Sequence, residues 1–315
     1  MHAYSLIAPA KINLHLEIIG DRADGYHELV MLLQSINLPD RIDIKSHKSR
    51  EITLRCDRPQ MPPPEQNLAY KAAQLMCEQF PKAFADRGGV DIILDKQIPI
   101  AAGLAGGSAD AAAVLTGINM LWELGLTQPE LQNLAALLGS DIPFCLAGGT
   151  AIATGRGEQL DPIDSPDNLW VVIAKYRSLA VSTAWAYNAY RQQFGETYAS
   201  DLEDLQARAA HIHSGPLVKA IIKRDGAQIG RLLYNDLEKV VLPQYPQVAH
   251  LRSLFEEQEI LGTMMSGSGP SVFALCKTQA EAESAKQAVE NAIADPDLGL
   301  WIAQLLSHGI QVAER

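Results

Sequence analysis

Polar and apolar residues alternate near the start of the chain. Ile12, Leu14 and Leu16 are interleaved with Asn13, His15 and Glu17, which predicts a strand with one apolar face and one wet or functional face. A polar turn at 21–27 (DRADGYH) is followed by predicted strands over 29–35, 41–46 and 51–56. PQMPPPEQ predicts a loop, and Asn67 is placed to cap a helix running to Phe80. A strand over 89–94 leads into a glycine-rich loop and an apolar helix over 108–124, with Ser108 at the N-cap. A helix over 129–138 with Gly139 as its C-cap and strands over 142–146 and 150–154 complete the first half. After the polar stretch GRGEQLDPIDSPDN the texture changes to a strand over 170–174 and helices over 183–194, 201–210, 216–223, 226–233 and 246–258. Then come a strand–glycine loop–strand unit (262–265 and 271–276), a helix over 280–294 and a short strand over 310–313. This mixture implies an α+β fold in two domains, 1–160 and 161–315, with the boundary between Arg156 and Asn168.

Composition narrows the function. The 315 residues are 47% apolar and 20% charged, enough to build two ordinary cores. Twenty-six basic against 37 acidic side chains leave a net charge of −11, which argues against a broad nucleic-acid face. It does not exclude a small phosphorylated ligand, because backbone N–H groups bind phosphate whatever the net charge. Cys56, Cys77, Cys145 and Cys276 form no CxxC pair and no zinc spacing, so reduced, mostly buried thiols in a cytosolic protein are expected. The opening MHAYSLIAPAKINLHLEIIG lacks a basic region followed by an apolar block, so no secretory signal is read there. The longest uncharged stretch, 260–276, is too rich in Gly, Ser and Thr to read as a membrane span.

The strongest chemical signal is PIAAGLAGGSADAA. Gly103, Gly106 and Gly107 let the backbone turn sharply and approach a ligand, and the following helix aims free N–H groups and its positive dipole end at the loop. The result is an anion site built without a cation; it is neither a Walker A loop nor a clean GxGxxG. A packing turn would have the same composition, and Asp110 in the first helical turn need only favour the dipole. In PAKINL, Lys11 and Asn13 share one strand face, which also suits a solvated face. Asp141 in GSDIPF sits in a turn, where Asp commonly caps backbone N–H groups. SGSGPS at 266–271 permits close approach to a ligand or a tight hairpin. His211 and His213 lack a third nearby ligand, and no metal cage is read anywhere.

Taken in order, PAKINL, PxxxGLAGGSADAA, GSDIPF and SGSGPS resemble the GHMP kinases. DRADGYHEL, QNLAYKAA and GSDIPFCLAGGTA are similar to the branch of that superfamily that acts on 4-diphosphocytidyl-2-C-methyl-D-erythritol. The resemblance spans most of residues 8–276 and is weakest between about 177 and 260. It implies a ribosomal-protein-S5-like N-terminal domain and a ferredoxin-like C-terminal domain, with the active site in the cleft between them. It also implies transfer of the γ-phosphate of ATP to the 2-hydroxyl of that substrate, in non-mevalonate isoprenoid precursor synthesis.

Carried over position by position, the resemblance makes Asp141 the catalytic base and Lys11 its partner. Pro99, Ile100, Ala101, Ala102, Gly103, Leu104, Ala105, Gly106, Gly107, Ser108 and Ala109 form the ATP phosphate loop, with Asn67 and Lys96 on the adenosine side. Asn13, Tyr26, His27, Tyr187, Gly267 and Gly269 fall to the substrate, Tyr26 and His27 at its cytidine end and Tyr187 as a second stacking face. Mg²⁺ follows from phosphoryl-transfer chemistry, with Ser108 a candidate contact. Ala101 and Ala109 stand where many members carry Gly and Ser, which touches loop flexibility rather than the backbone N–H groups. The implied protein is cytoplasmic, or in the plastid stroma if from a plant, and a monomer or weak homodimer. It binds neither nucleic acid nor membrane.

The competing readings are a homoserine- or mevalonate-type kinase, a non-catalytic nucleotide binder of the same fold, and a dinucleotide oxidoreductase. DGYH disfavours the first, and retention of both Lys11 and Asp141 the second. The third would want its glycines directly after the first strand, not near residue 103.

Overall fold

The alternation that opens the chain is carried further than the pattern predicts. In the computed structural model, which describes residues 2–56 and 63–313, β1 (Ala3–Asp21) pairs antiparallel with β2 (His27–His47) along nearly its whole length. Register shifts at Pro9/Ala10, Asn13/His15 and Ile18/Gly20 bend the pair. Bulges of this kind re-aim side chains, and Lys11 and Asn13 lie between two of them. The two strands expected over 29–35 and 41–46 are one strand. Pro39 reads as a break in the sequence, but it lies opposite Pro9, where neither residue owes the ladder a donor.

β3 (Ile52–Cys56), α1 (Leu68–Gln79), α2 (Pro81–Arg87) and β4 (Gly89–Asp95) follow. Of the expected proline-rich loop, 59–62 lies outside the described residues, and Pro64–Gln66 forms one 3-10 turn. Asn67 caps α1 as predicted, its side chain accepting from the Ala69 amide. Next come α3 (Gly106–Leu121), α4 (Gln128–Ala136), α5 (Ile142–Ala147), β5 (Thr150–Thr154) and β6 (Gln159–Ile163). The first sheet runs β1-β2-β4-β3, with β5 on the other half of β2 and β6 beyond it. α3 is apolar on nearly every side and buried from Ala109 to Leu115, as a helix packed across the middle of a core must be.

Residues 142–146 were expected as a strand and form α5. A short apolar run carries no period that separates the two, and Pro143 in the first turn favours the helix. Gly139 is not the C-cap of α4; that position is taken by Leu137.

The rest of the chain gives β7 (Trp170–Tyr176), α6 (Thr183–Phe194), α7 (Leu202–Ser214), α8 (Pro216–Ile222), α9 (Gly226–Arg231), β8 (Tyr234–Asn235), α10 (Glu238–Gln244) and α11 (Pro246–Glu256). After these come β9 (Gly262–Met265), β10 (Val272–Cys276), α12 (Gln279–Ala292), β11 (Leu298–Gln304) and β12 (Gln311–Val312). The second sheet is antiparallel in the order β11-β7-β10-β9. Five elements went unpredicted: α2, β6, β8, α10 and β11. Two short strands from the second half, β8 and β12, join the first sheet by pairing with β1. The chain therefore returns twice to the strand that carries Lys11.

Candidate active site

A cleft of about 940 Å³ is lined by β1, the turn after it, the first part of β2, the start of α1, the loop leading into α3, the start of α5, α6 and the loop joining β9 to β10. Lys11 and Asn13 project into it from one face of β1, with Lys11 Nζ donating to Asn13 Oδ1 at 2.8 Å. Both are buried. Asp141 stands at the N-cap of α5, yet its carboxylate caps no amide. One oxygen instead lies 3.7 Å from Lys11 Nζ, and the side chain is 33% exposed, open to the cleft.

The glycine loop supplies the next wall. Gly103 has φ +73°, and a Cβ there would collide with the carbonyl of Ser266, so glycine is required by both conformation and space. Ala105 adopts the left-handed conformation at φ 57° and serves as the N-cap of α3. Ser108 is thus not the cap expected of it but a first-turn residue. The first backbone bond of α3 runs from the Ala109 amide to the Ala105 carbonyl at 2.9 Å, so the amides of Gly106, Gly107 and Ser108 precede the helical ladder. They form an electropositive end that faces the cleft.

Beneath this loop lies a cation held between two carboxylates. Lys96 is buried and pairs with Asp40 and Asp110, Asp110 Oδ2 lying at 2.5 Å, while Nζ also reaches the Gly106 carbonyl at 3.4 Å. Asp40 accepts from the Gln97 and Ile98 amides at 2.6 and 2.8 Å. Asp110 is therefore more than a dipole partner. Burial, with Asp40 nearby, raises its pKa against the opposing pull of Lys96. Its Oδ1 is buried without a hydrogen-bond partner, as is Asn67 Nδ2, and both residues line the cleft.

At the other end, His27 stacks on Tyr187 with ring centroids 5.1 Å apart and 23° between planes. Tyr187 thus gives one face to His27. His27 Nδ1 lies 3.2 Å from Asp21 and 3.3 Å from the Tyr198 hydroxyl; in the tautomer that carries its proton on Nδ1, Nε2 is an acceptor. Burial lowers the His27 pKa, Arg191 adds to that, and Asp21 opposes it. Tyr26 is 54% exposed with the Arg156 guanidinium 5.0 Å from its ring centroid. Sequence reasoning missed Arg156, which tops the β5–β6 hairpin between Gly155 (φ 71°) and Gly157 (φ 106°). The GRG signal was present but was absorbed into the domain boundary.

The remaining predicted residues also gather here. Pro99 to Gly103, Ala105, Gly106, Gly107, Ser108 and Gly267 line the cleft. Leu104 and Ala109 turn into the core instead, and the Leu104 carbonyl accepts from the Lys11 amide at 3.1 Å. Gly269 stands one residue behind the wall, its φ of 79° shaping the loop. His213 lies 3.7 Å from Asp161, on the surface. Among the described residues no group of three potential metal ligands exists, and no helix is long and apolar enough to cross a membrane.

A strand lysine, a helix-cap aspartate and an amide-rich helix end thus meet around one cleft. Residues 67–149 match the GHMP kinases N terminal domain and residues 217–295 the GHMP kinases C terminal. A 4-diphosphocytidyl-2-C-methyl-D-erythritol kinase from Gloeothece citriformis is 65% identical over 312 residues, covering 99% of each chain. One from Synechocystis sp. is 57% identical with the same coverage. A crystal structure of 4-(cytidine 5'-diphospho)-2C-methyl-D-erythritol kinase superposes with a TM-score of 0.74 at 32% identity, over 96% of this chain and 98% of that one. Homoserine kinase from Cytophaga hutchinsonii shares the fold, with a TM-score of 0.76 at 22% identity over 99% and 98% of the two chains. The chain belongs to the GHMP kinases and, within them, to the 4-diphosphocytidyl-2-C-methyl-D-erythritol kinase family.

Proposed function

We propose that this kinase transfers the γ-phosphoryl group of ATP to the 2-hydroxyl of 4-diphosphocytidyl-2-C-methyl-D-erythritol, releasing the 2-phosphate and ADP. The observation that carries the reading is the Lys11–Asp141 pair, 3.7 Å apart, sharing one cleft with the amide-rich start of α3. Asp141 accepts the hydroxyl proton as the oxygen attacks the γ-phosphorus, and the bond to the ADP oxygen breaks. Lys11, 3.7 Å from Asp141, favours alkoxide character on the nucleophile. The loop amides and the α3 dipole stabilise charge developing on the β- and γ-phosphates. Asn67, with its unpaired Nδ2, meets the nucleotide, while Lys96 acts from beneath the loop.

The cytidine end is the pocket of Tyr26, His27 and Tyr187. His27 Nε2, an acceptor, suits a base edge that carries an amine. Asn13, Gly267 and Gly269 shape the path of the sugar-alcohol. Mg²⁺ would neutralise charge on the ATP phosphates, and the Ser108 hydroxyl, which lines the cleft, is the residue that would meet it. We take 1–160 and 161–315 as the two lobes, in a cytoplasmic monomer or weak homodimer. The free thiols of Cys77, Cys145 and Cys276 accord with a reducing compartment.

A coupled ADP-release assay offering the cytidine substrate, homoserine and mevalonate tests the reading. Turnover is expected with the first alone; turnover only with either of the others removes it. Asp141→Asn should lower kcat by about 10²–10⁴-fold while ATP affinity stays nearly intact. Near-normal turnover of that variant eliminates aspartate-base catalysis.

A further inference from the structure

Asn235 lies outside every motif discussed so far. It is buried, and three of its four side-chain hydrogen-bonding positions are used. Nδ2 donates to the Met265 carbonyl and to the Gly267 carbonyl, each at 2.8 Å, and Oδ1 accepts from the Leu237 amide at 3.0 Å. Two carbonyl acceptors on one side and an amide donor on the other fix which end is nitrogen. Few side chains besides Asn present two hydrogens and an acceptor in so short a reach.

What Asn235 holds is the loop from Ser266 to Gly269. Gly267 backs onto the Lys11–Asn13 pair: a Cβ there would lie 3.3 Å from Asn13 Oδ1 and 3.6 Å from Lys11 Nζ. The same loop reaches the phosphate loop, where Ser266 Oγ donates to the Gly103 carbonyl at 3.1 Å. It also reaches α6, where Ser268 Oγ and Thr183 Oγ1 are 2.8 Å apart. One short loop thus touches three walls of the cleft.

What Asn235 hangs from is β1. β8 pairs with it in parallel, His15 opposite Tyr234 and Leu16 opposite Asn235. The next residue locks the joint. The Asp236 amide donates to the Leu16 carbonyl at 2.9 Å, and its buried carboxylate accepts from the Ile18 amide at 2.8 Å, the Tyr234 hydroxyl at 2.6 Å and Lys239 at 2.8 Å. Asn235 is therefore mounted a few residues along the strand that carries Lys11 and Asn13. Loop and catalytic lysine take their positions from the same piece of backbone.

We infer that Asn235 is a positioning residue for the phosphoryl transfer: it pins the Gly267 carbonyl and so sets the wall against which Lys11 and Asn13 are held. It touches neither substrate nor reacting atoms and acts through Gly267. The inference rests on the proposed reaction. Misplacement of a catalytic group by about 1 Å lowers turnover by about 10²-fold.

Two variants test this. Asn235→Asp keeps the shape and the acceptor for Leu237 but turns its other carboxylate oxygen toward two carbonyls. Asn235→Ser keeps one donor and serves if the first does not fold. In the folded variants kcat should fall about 10²-fold while KM for ATP stays within about threefold. Amide hydrogen exchange across 266–269 should speed up in the absence of any substrate. A merely structural Asn235 would lower the melting temperature and leave kcat per folded molecule unchanged. Folded variants with unaltered kcat and unaltered loop exchange overturn the inference and leave the proposed reaction standing. A wild-type protein that ignores the cytidine substrate overturns the reaction instead, and the exchange measurement still decides the role of Asn235.

Discussion

His27 shows how a single residue is tuned by its surroundings. Burial among Tyr187, Tyr198 and the end of β1 disfavours the imidazolium, and Arg191 adds to this more than Asp21 takes away. The folded pKa therefore lies below the ordinary 6.5. For a histidine depressed in this way, the folded state gives up stability when the ring is protonated. The contribution of neutral His27 is complete above 6.5 and drains away as pH falls through the lower folded value. Nε2 then also turns from acceptor to donor. KM for the cytidine substrate should be flat near neutrality and rise only on the acid side of about 6.5. His27→Asn should remove that acid limb; a limb that persists in the variant would assign it to another group. Asp141 illustrates the same dependence on place. Its sequence context fits a capping turn equally well, but its carboxylate caps nothing and faces Lys11.

At the scale of elements, the loop into α3 and the loop between β9 and β10 act as one unit. Gly103 has φ +73°, with the Ser266 carbonyl where a Cβ would go. Gly103→Ala therefore strains the backbone by about 1–3 kcal/mol and pushes the two loops apart. ATP affinity should weaken roughly tenfold, the factor that about 1.4 kcal/mol represents. Calorimetric titration with a non-hydrolysable ATP analogue measures it, and unchanged affinity would separate the glycine loop from nucleotide binding. The expectation of a strand over 142–146 failed at this scale too. IPFCLA has no period of its own, and Pro143 in the first turn together with packing beside α3 and α4 makes it helical.

Over the whole molecule, the buried Asp40–Lys96–Asp110 group ties β2, the segment after β4 and the start of α3 together under the site. Removing the lysine leaves two carboxylates buried without a counter-charge. Lys96→Ala should cost about 3–5 kcal/mol of stability, the usual penalty for breaking a buried pair. Denaturant unfolding checks this, and a loss below about 1 kcal/mol would mean that the carboxylates find water. Segments of the long strands, the apolar helix α3, the Asn67 cap and the motifs PAKINL, GLAGGSADAA and GSDIPF are legible in the chain by itself. Each depends on local period, capping chemistry or glycine geometry, and those act over a few residues. Contacts between distant segments are not legible in that way. Asn235 against Gly267, Lys96 between two aspartates, His27 on Tyr187 and β8 and β12 on β1 join residues tens to hundreds apart. Burial sets both the partners and the strength of such contacts, and burial exists only once the chain has closed on itself.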